Sequence, residues 1–323
     1  MPRHAWSVVA VSVMMVLAGC TARPRALAPS DVSPPIAPAD RVRDDAAPAV
    51  APGVRPSPAP VDPSASVPQR IVVGRSVEGR PLVLHRFSRW GGGTLVIGGI
   101  HGNEPTSAKV AERLVTLLAR RPEGWDDAPV AVLPRANPDG LVRGTRVNAR
   151  GVDLNRNFAT GNWTVRQPGR ATYGGPQPES EPETRAILRA IAMTAPARII
   201  SIHSITDGRE CNNFDGPAEY LARAMSTENG YPVVPSLGPC HGSLGNWAGV
   251  DRGVPIITLE LPRQQPGPEA WERNRVALLA AIRPGQATLH AGGEPVDGGG
   301  RTAYHAEGEQ LDTSPVHEDM GGP

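Results

Sequence analysis

Four titratable residues of this chain have the types and the spacing of a metal-dependent hydrolytic site. His101 and Glu104 are separated by two residues, and His203 and Glu260 lie much further along the sequence. Two imidazoles and one carboxylate are a ligand set of catalytic zinc, which keeps its fourth position open for water. A second carboxylate beside such a metal has the chemistry of a general base. Taken alone, the first pair is more typical of a polar loop, so its meaning depends on the elements around all four residues.

Apolar segments stand in front of these residues. The segments are 94–100 before His101, 198–202 before His203, and 255–259 before Glu260. Each has the continuous apolar composition of a buried strand. Because open α/β sheets bind ligands at the carboxyl ends of their strands, we expect the four side chains to meet at one sheet edge. A metal there would explain His101, Glu104 and His203, and a catalytic base would explain Glu260.

The chain between residues 69 and 284 alternates strand-like and helix-like segments. Further strands are predicted at 71–73 and 81–84, which form an entry hairpin, and at 129–133; helices are predicted at 105–120, 181–193, 217–227 and 269–282. Ser180-Glu-Pro-Glu183 matches a capping box ahead of the second helix. This order predicts a single α/β domain with a mixed, mostly parallel central sheet flanked by helices.

Polar residues after the 129–133 strand form a candidate substrate site. Asn137-Pro-Asp-Gly140 is a strong turn signal, and Arg146, Asn155 and Arg156 follow it. A planar guanidinium matches a carboxylate through two parallel hydrogen bonds, so Arg156 with Asn155 could hold the terminal carboxylate of a peptide. Arg146 could supply positive charge where an oxyanion develops. Without the metal set, solvated surface charges would be the simpler interpretation of these arginines.

Composition divides the 323-residue chain into a folded centre and two polar ends. Of its 36 prolines, 13 lie in the first 68 residues, and of its 36 glycines, nine lie in the last 39. Residues 21–68 have too few large apolar side chains to offset their ordering entropy, which predicts a disordered, Pro/Ala-rich linker. Residues 285–323 are Gly-rich and polar, which predicts a disordered tail. The net charge of +1, without a contiguous basic patch, favours no nucleic-acid partner.

The first twenty residues have the pattern of an export signal. Arg3 and His4 precede an apolar stretch, and Leu17-Ala-Gly-Cys20 resembles a bacterial lipobox. We expect a lipoprotein signal peptide over 1–20, lipidation of Cys20, and an extracytoplasmic protein, periplasmic or on the cell surface, that contacts the membrane only through its lipid anchor. The alternative is an ordinary secretory signal with an incidental cysteine. Cys211 and Cys240 are then candidates for a disulfide, or for two separate thiols.

Residues 71–283 resemble the zinc carboxypeptidases of the M14 type. The matches to the three ligands of that family's single zinc ion are His101, Glu104 and His203, and the match to its general base is Glu260. The matches to its substrate-binding side chains are Arg146, which polarises the scissile carbonyl, and Asn155 with Arg156, which bind the terminal carboxylate. The resemblance implies a zinc metallocarboxypeptidase with one Zn²⁺ ion.

Within that family the chain is most similar to amidases that cleave the γ-D-glutamyl–diaminopimelate bond of murein peptides. Similar segments lie at 137–140, 152–158, 180–184, 215–218, 242–245 and 257–262. One departure is Cys240-His-Gly-Ser243, where the amidases often have Thr-Pro-Gly-Ser. Tyr173 and Tyr231 are the available candidates for the tyrosine that closes over substrate in pancreatic members.

Three other functions stay open at this point. A general extracytoplasmic carboxypeptidase on L-peptides would use the same residues, and an acyl-amino-acid deacylase would share the metal set. A non-catalytic, wall-binding lipoprotein would suit the tether, but Glu260 argues against it because binding alone needs no base. We expect a monomer or a weak homo-oligomer.

Overall fold

The computed structural model describes residues 68–88, 91–120, 125, 127–165, 169–235, 237–238 and 240–284. The predicted signal peptide, Cys20 with its predicted lipidation, all but the last residue of the linker and the C-terminal tail lie outside these ranges. The boundaries of these segments therefore stay predictions. Within the described ranges, no helix has the length and the apolar content that a membrane span requires.

Eight strands of the described residues form one sheet, in the spatial order β1-β2-β4-β3-β5-β8-β6-β7. The strands are β1 Gln69–Arg75, β2 Pro81–Arg86, β3 Thr94–Ile97, β4 Val130–Leu133, β5 Arg198–Ile205, β6 Cys211–Asp215, β7 Val233–Val234 and β8 Ile256–Pro262. The central pairs β4–β3, β3–β5 and β5–β8 are parallel, as is β6–β7, and the remaining pairs are antiparallel. The predicted α/β domain with a mixed, mostly parallel sheet is confirmed.

Helices cover both faces of the sheet. They are α1 Pro105–Leu118, α2 Pro138–Arg143, α3 Pro182–Thr194, α4 Glu219–Asn229 and α5 Gly267–Ile282. Successive side chains of a strand point to opposite faces, so Val96 packs into the core under α1, α4 and α5, whereas Leu95 and Ile97 pack into the core under α3. The strands between the two cores are held rigidly, which fixes the positions of residues at their carboxyl ends.

Three strands near the candidate site differ in length from their predictions. β3 ends at Ile97, three residues early, because the chain turns at Gly98 and at Gly99, whose φ is 67°. β5 and β8 pair with each other as far as Ile205 and Pro262. His203 and Glu260 therefore lie inside their strands, two residues before the end of each, and not at the strand ends as predicted.

Several short elements were not predicted. α2 replaces the expected turn, because the Asn137 side chain accepts the Gly140 amide at 2.9 Å and caps a helical turn, which Gly144 then ends at a φ of 64°. β6 was not predicted because its sequence contains two consecutive asparagines and lacks the apolar pattern of a strand. The predicted capping box is also wrong: the N-cap of α3 is Glu181, and the Ser180 hydroxyl donates to the Glu181 carboxylate instead.

Candidate active site

Three buried side chains converge at the carboxyl ends of β3 and β5. His101 and Glu104 lie in the turn between β3 and α1, and His203 lies in β5. His101 Nδ1 is 3.0 Å from one Glu104 carboxylate oxygen, and His203 Nδ1 is 3.2 Å from His101 Nδ1 and 3.3 Å from the other Glu104 oxygen. The three residues can each direct one ligand atom to a common point, since these atoms lie within 4.8 Å of one another.

Glycines allow the first two residues of this cluster to reach their positions. The positive φ of Gly99 turns the chain out of β3. A Cβ at Gly102 would lie 1.9 Å from the carbonyl carbon of Gly140 in α2, so only glycine lets the turn pack this closely against α2. Pro105 begins α1, where its missing N–H removes no helical hydrogen bond. Glu104 is therefore held directly before a rigid helix.

The outer ring nitrogens of both histidines contact the protein. His101 Nε2 lies 3.0 Å from Asp153 Oδ1, and His203 Nε2 lies 3.0 Å from the Ser201 hydroxyl. Because an ionised carboxylate only accepts hydrogen bonds, the proton of the first contact belongs to His101 Nε2. Partners of this kind fix the ring orientation and tautomer of metal-binding histidines, and here they leave both Nδ1 atoms facing the cluster.

Opposite charges compensate one another in this buried cluster. Burial alone would raise the pKa of the Glu104 and Asp153 carboxyls and lower that of His101. Mutual attraction outweighs burial, so the pKa of both carboxyls lies below its ordinary value and the pKa of His101 lies above it. The Ser204 amide also donates to Glu104 at 3.0 Å. Both carboxylates are thus ionised at neutral pH and can balance a bound cation.

Glu260 faces the same cleft from β8, without a side-chain hydrogen bond to any other described residue. Burial raises the pKa of its carboxyl, and the neighbouring Glu104 adds to this effect, while His203 opposes it. The cleft is lined jointly by Glu260 and the cluster residues. A carboxyl with a raised pKa and no competing partner is suited to accepting and releasing a proton.

Arg146 places a positive charge beside the cluster. Its Nε and Nη2 atoms each lie 3.0 Å from Asp153 Oδ2, and its Nη1 lies 3.3 Å from His101 Nδ1 and 3.5 Å from Glu104. Asp153 therefore orients both the imidazole of His101 and the guanidinium of Arg146. The Arg146 side chain is 25% exposed, so it also reaches the cleft.

Asn155 and Arg156 lie in a short helical turn, Leu154–Arg156, on the wall of the cleft. The Asn155 side-chain oxygen accepts the Leu244 amide at 2.9 Å. The Arg156 carbonyl accepts the Trp163 indole N–H at 3.0 Å, and a Cβ at either Gly174 or Gly242 would lie 2.3 Å from that carbonyl oxygen. The backbone of Arg156 is therefore tightly enclosed, while its guanidinium lines the cleft.

The cleft contains a further carboxylate, that of Asp215 at the end of β6. Its side chain makes no hydrogen bond or ion pair with another described residue, and burial raises the pKa of its carboxyl. Gly245 makes room for it, because a Cβ there would lie 2.3 Å from an Asp215 oxygen. Burying an uncompensated carboxylate is costly, so a positively charged ligand group would complete this position.

The two cysteines of the domain are free thiols. Burial raises the pKa of Cys211 in β6 to about 11. Cys240 lies on the cleft wall, with its sulfur 3.8 Å from an Arg156 guanidinium nitrogen, at the departure noted in the sequence. Neither Tyr173 nor Tyr231 is among the described cleft residues, and Tyr231 is buried beside Asn274.

The cleft brings together every site residue predicted from the sequence within the domain, and it adds Asp215 and Arg263, which were missed. Asp153, also missed, lies buried behind His101 rather than in the cleft. The signal for Asp153 was an acidic residue between two apolar ones, Val152 and Leu154. Asp215 begins the segment 215–218 noted in the sequence, but neither it nor Arg263 could be placed at the site, because only the strand pairing of β6 and β8 brings them to the cleft.

Comparison with known proteins gives a family match and several relatives, among them murein peptide amidases. A family model described as zinc carboxypeptidase matches residues 64–208. Murein peptide amidase A of Escherichia coli K12 is 34% identical over 231 residues, which are 65% of this chain and 88% of that protein. The protein of the same name from Vibrio campbellii is 31% identical over 209 residues, covering 58% and 77% of the two chains.

Solved structures give the same relationship. The murein-tripeptide amidase of Escherichia coli O157 superposes with a TM-score of 0.52 at 30% identity, over 68% of this chain and 94% of that one. Carboxypeptidase A of Helicoverpa armigera has a TM-score of 0.55 at 22% identity, over 67% and 69% of the two chains. The second similarity shows the shared fold alone.

Proposed function

This chain belongs to the zinc carboxypeptidase family and is a peptide hydrolase, and we propose that it uses zinc to hydrolyse murein peptides at the γ-D-glutamyl–diaminopimelate bond. The observation that carries the metal part is the convergence of three buried donors from His101, Glu104 and His203. The murein part is supported by the similarity to the murein peptide amidases of two bacterial species.

The donor geometry fits zinc. A tetrahedral site with bonds of about 2.1 Å has donor atoms about 3.4 Å apart. The two imidazole donors, His101 Nδ1 and His203 Nδ1, are 3.2 Å apart, and each lies close to a different Glu104 oxygen, at 3.0 and 3.3 Å. With one ligand atom taken from each residue, the three donor atoms lie within 4.8 Å of one another. These residues would hold the ion through two imidazole nitrogens and one carboxylate. When bound, zinc lowers the pKa of water towards neutrality and polarises a carbonyl group.

The chain's own residues then have separate tasks. Glu260 removes the proton of the attacking water and passes it to the leaving amine, for which its raised pKa is suited. Arg146 stabilises the negative charge that develops on the carbonyl oxygen. Asn155 and Arg156 bind the free carboxylate of the leaving residue and so hold the scissile amide in position for attack.

Asp215 supports a leaving residue with a positively charged side chain. Diaminopimelate carries an amino group beside a carboxylate at the far end of its side chain, and the Asp215 carboxylate in the cleft has no partner among the described residues, so it could pair with that ammonium group. An ammonium group there would compensate this buried charge. The same feature would admit lysine-like residues, so it supports a cationic leaving group rather than diaminopimelate alone.

The proposal includes the location of the enzyme. The lipobox-like sequence that ends at Cys20 supports a lipid-anchored protein outside the cytoplasm, where murein lies. The linker of residues 21–68 would let the catalytic domain reach substrate away from the membrane. Labelled-palmitate incorporation that is lost in Cys20→Ala would support the anchor; equal labelling of both proteins would contradict it.

The decisive experiment offers the purified protein L-Ala-γ-D-Glu-diaminopimelate beside ordinary L-peptides. Release of diaminopimelate that stops with a chelator and returns with zinc would support both parts of the proposal. Preferential cleavage of the L-peptides would indicate a general carboxypeptidase, and cleavage of acyl amino acids alone would indicate a deacylase. If the zinc-bound protein hydrolysed none of these substrates, the result would indicate a non-catalytic, wall-binding protein.

A further inference from the structure

Arg263 lines the cleft but has no role in the reaction proposed above. It directly follows β8, and its amide donates to the Ile205 carbonyl at 2.9 Å. Its guanidinium Nη2 donates to the Ser204 carbonyl at 2.7 Å and lies 3.6 Å from Glu104 Oε1. Two backbone contacts to the end of β5 thus hold this side chain at the edge of the cluster.

The guanidinium retains donors that face no protein acceptor. The Arg263 side chain is 39% exposed, and its Nε and Nη1 atoms make no hydrogen bond to a described residue. Arg146 differs, because the Asp153 carboxylate already engages two of its nitrogens. A guanidinium with two open donors at a cleft matches the planar oxygen pair of a carboxylate.

Arg263 is also separate from the carboxylate site assigned to Arg156. The Arg156 guanidinium contacts the Asn155 carbonyl and Cys240, whereas Arg263 contacts Ser204 and Glu104. The two arginines share no contact residue. The cleft therefore presents two open cationic positions, one on the wall at Cys240 and one at the ends of β5 and β8.

A γ-glutamyl peptide carries a second free carboxylate, on the residue before the scissile bond. In an ordinary peptide the residue before the scissile bond has used its α-carboxyl in that bond. In a γ-glutamyl peptide the side-chain carboxyl forms the bond, and the α-carboxylate of the same residue stays free. This α-carboxylate lies only a few bonds from the carbonyl group that reacts. Arg263 lies beside Glu104, one of the residues at the reaction centre, and is therefore close enough to bind it.

Resting on the proposed function, we infer that Arg263 binds the free α-carboxylate of the γ-linked acyl residue. It is therefore a specificity-determining residue that favours γ-glutamyl peptides over α-linked peptides. Arg156 holds the leaving residue and Arg263 holds the acyl residue, so the scissile amide is fixed from both sides.

The test compares the hydrolysis of two substrates by two proteins. Wild type and Arg263→Gln are each given L-Ala-γ-D-Glu-diaminopimelate and the same peptide with the glutamyl α-carboxylate replaced by a carboxamide. Hydrogen bonds between charged groups predict that Arg263→Gln lowers kcat/KM for the carboxylate peptide by about 10- to 100-fold, mainly through KM. The variant should hydrolyse the carboxamide peptide about as fast as wild type does. Arg263→Lys should recover part of the preference.

Three controls separate the possible causes. Arg209→Gln removes an exposed arginine of the β5–β6 loop and should change neither substrate. Zinc content and the unfolding midpoint of Arg263→Gln should equal those of wild type. An equal loss with both peptides would overturn the inference, because Arg263 would then act only through Glu104. Wild-type protein that hydrolyses both peptides equally well would also overturn it while the proposed function stands; hydrolysis of neither would overturn both.

Discussion

His203 and Glu260 occupy the same rung of the parallel ladder between β5 and β8. Paired residues of neighbouring strands point to the same side of a sheet, so a candidate metal ligand and the candidate base face the cleft together. Their spacing depends on backbone hydrogen bonds rather than on flexible loops. The rung therefore explains why two residues far apart in the chain can serve one reaction centre.

Glu260→Gln should abolish turnover while zinc stays bound. The amide has nearly the same shape but cannot take up a proton, and loss of general base catalysis lowers rates by about 100- to 10,000-fold. Steady-state kinetics measures the loss of turnover, and metal analysis measures the retained zinc. Hydrolysis at the wild-type rate would remove Glu260 from the mechanism.

His203→Ala should lower the zinc content of the purified protein. Two of three protein ligands cannot hold the ion as tightly, and the Ser201 hydroxyl loses its partner. Ser201→Ala is the matched comparison: loss of an outer hydrogen-bond partner should weaken zinc affinity by about 10- to 100-fold without emptying the site. Competition with a chromophoric chelator measures both. Unchanged stoichiometry in His203→Ala would exclude it as a ligand.

Asp215→Asn should narrow the difference between cationic and neutral leaving residues. The variant removes the charge that would pair with a side-chain ammonium, and a charged hydrogen bond contributes about 1.5–3 kcal/mol. KM for the diaminopimelate peptide should therefore rise, while a peptide with an uncharged leaving residue is hydrolysed equally well or better. A parallel loss for both peptides would mean that Asp215 has only a structural role.

Gly102→Ala should destabilise the domain and impair metal binding. The new Cβ would meet the Gly140 carbonyl group at 1.9 Å, and overpacking of this kind costs about 1–3 kcal/mol. His101 would be displaced with the turn. Gly161→Ala is the control, since its Cβ would lie 3.7 Å from the nearest atom. Thermal unfolding with and without zinc checks the expectation, which fails if both variants behave alike.

Asp139→Asn should reduce stability at neutral pH and flatten the acid side of the stability profile. Burial would raise the pKa of Asp139, but hydrogen bonds from Ser76 and Arg80 outweigh it, so the pKa is lowered in the folded state. A lowered carboxyl pKa stabilises the fold above the unfolded-state value of about 3.9 and ceases to do so as pH falls through the folded value.

The loss in Asp139→Asn should be about 1–3 kcal/mol at pH 7, because Ser76 and the Glu78 amide lose a charged acceptor. Denaturant unfolding at several pH values measures it. The two proteins should converge in strong acid, and a difference that is constant across pH would contradict the electrostatic cause.

The sequence was sufficient for the parts of the fold that depend on local pattern. The apolar runs of β3, β5 and β8 and the Pro105 start of α1 are visible in it. Asp215 was not, because the antiparallel pairing of β6 with β8 brings it to the cleft through contacts distant in sequence. The length of β5 was also missed, since His203 and Ser204 are polar and only the pairing with β8 continues the strand through them.

The enclosure of Arg156 has a consequence for where peptides are cut. Trp163 donates a hydrogen bond to its carbonyl oxygen, and Gly174 and Gly242 pack so closely against that oxygen that a Cβ at either position would clash with it. With the terminal carboxylate bound to Arg156 as proposed, the distance from the chain end to the reacting amide would be constant, and the cleft would select the amide one residue from the end. Long peptides would be shortened from their ends and not divided in the middle.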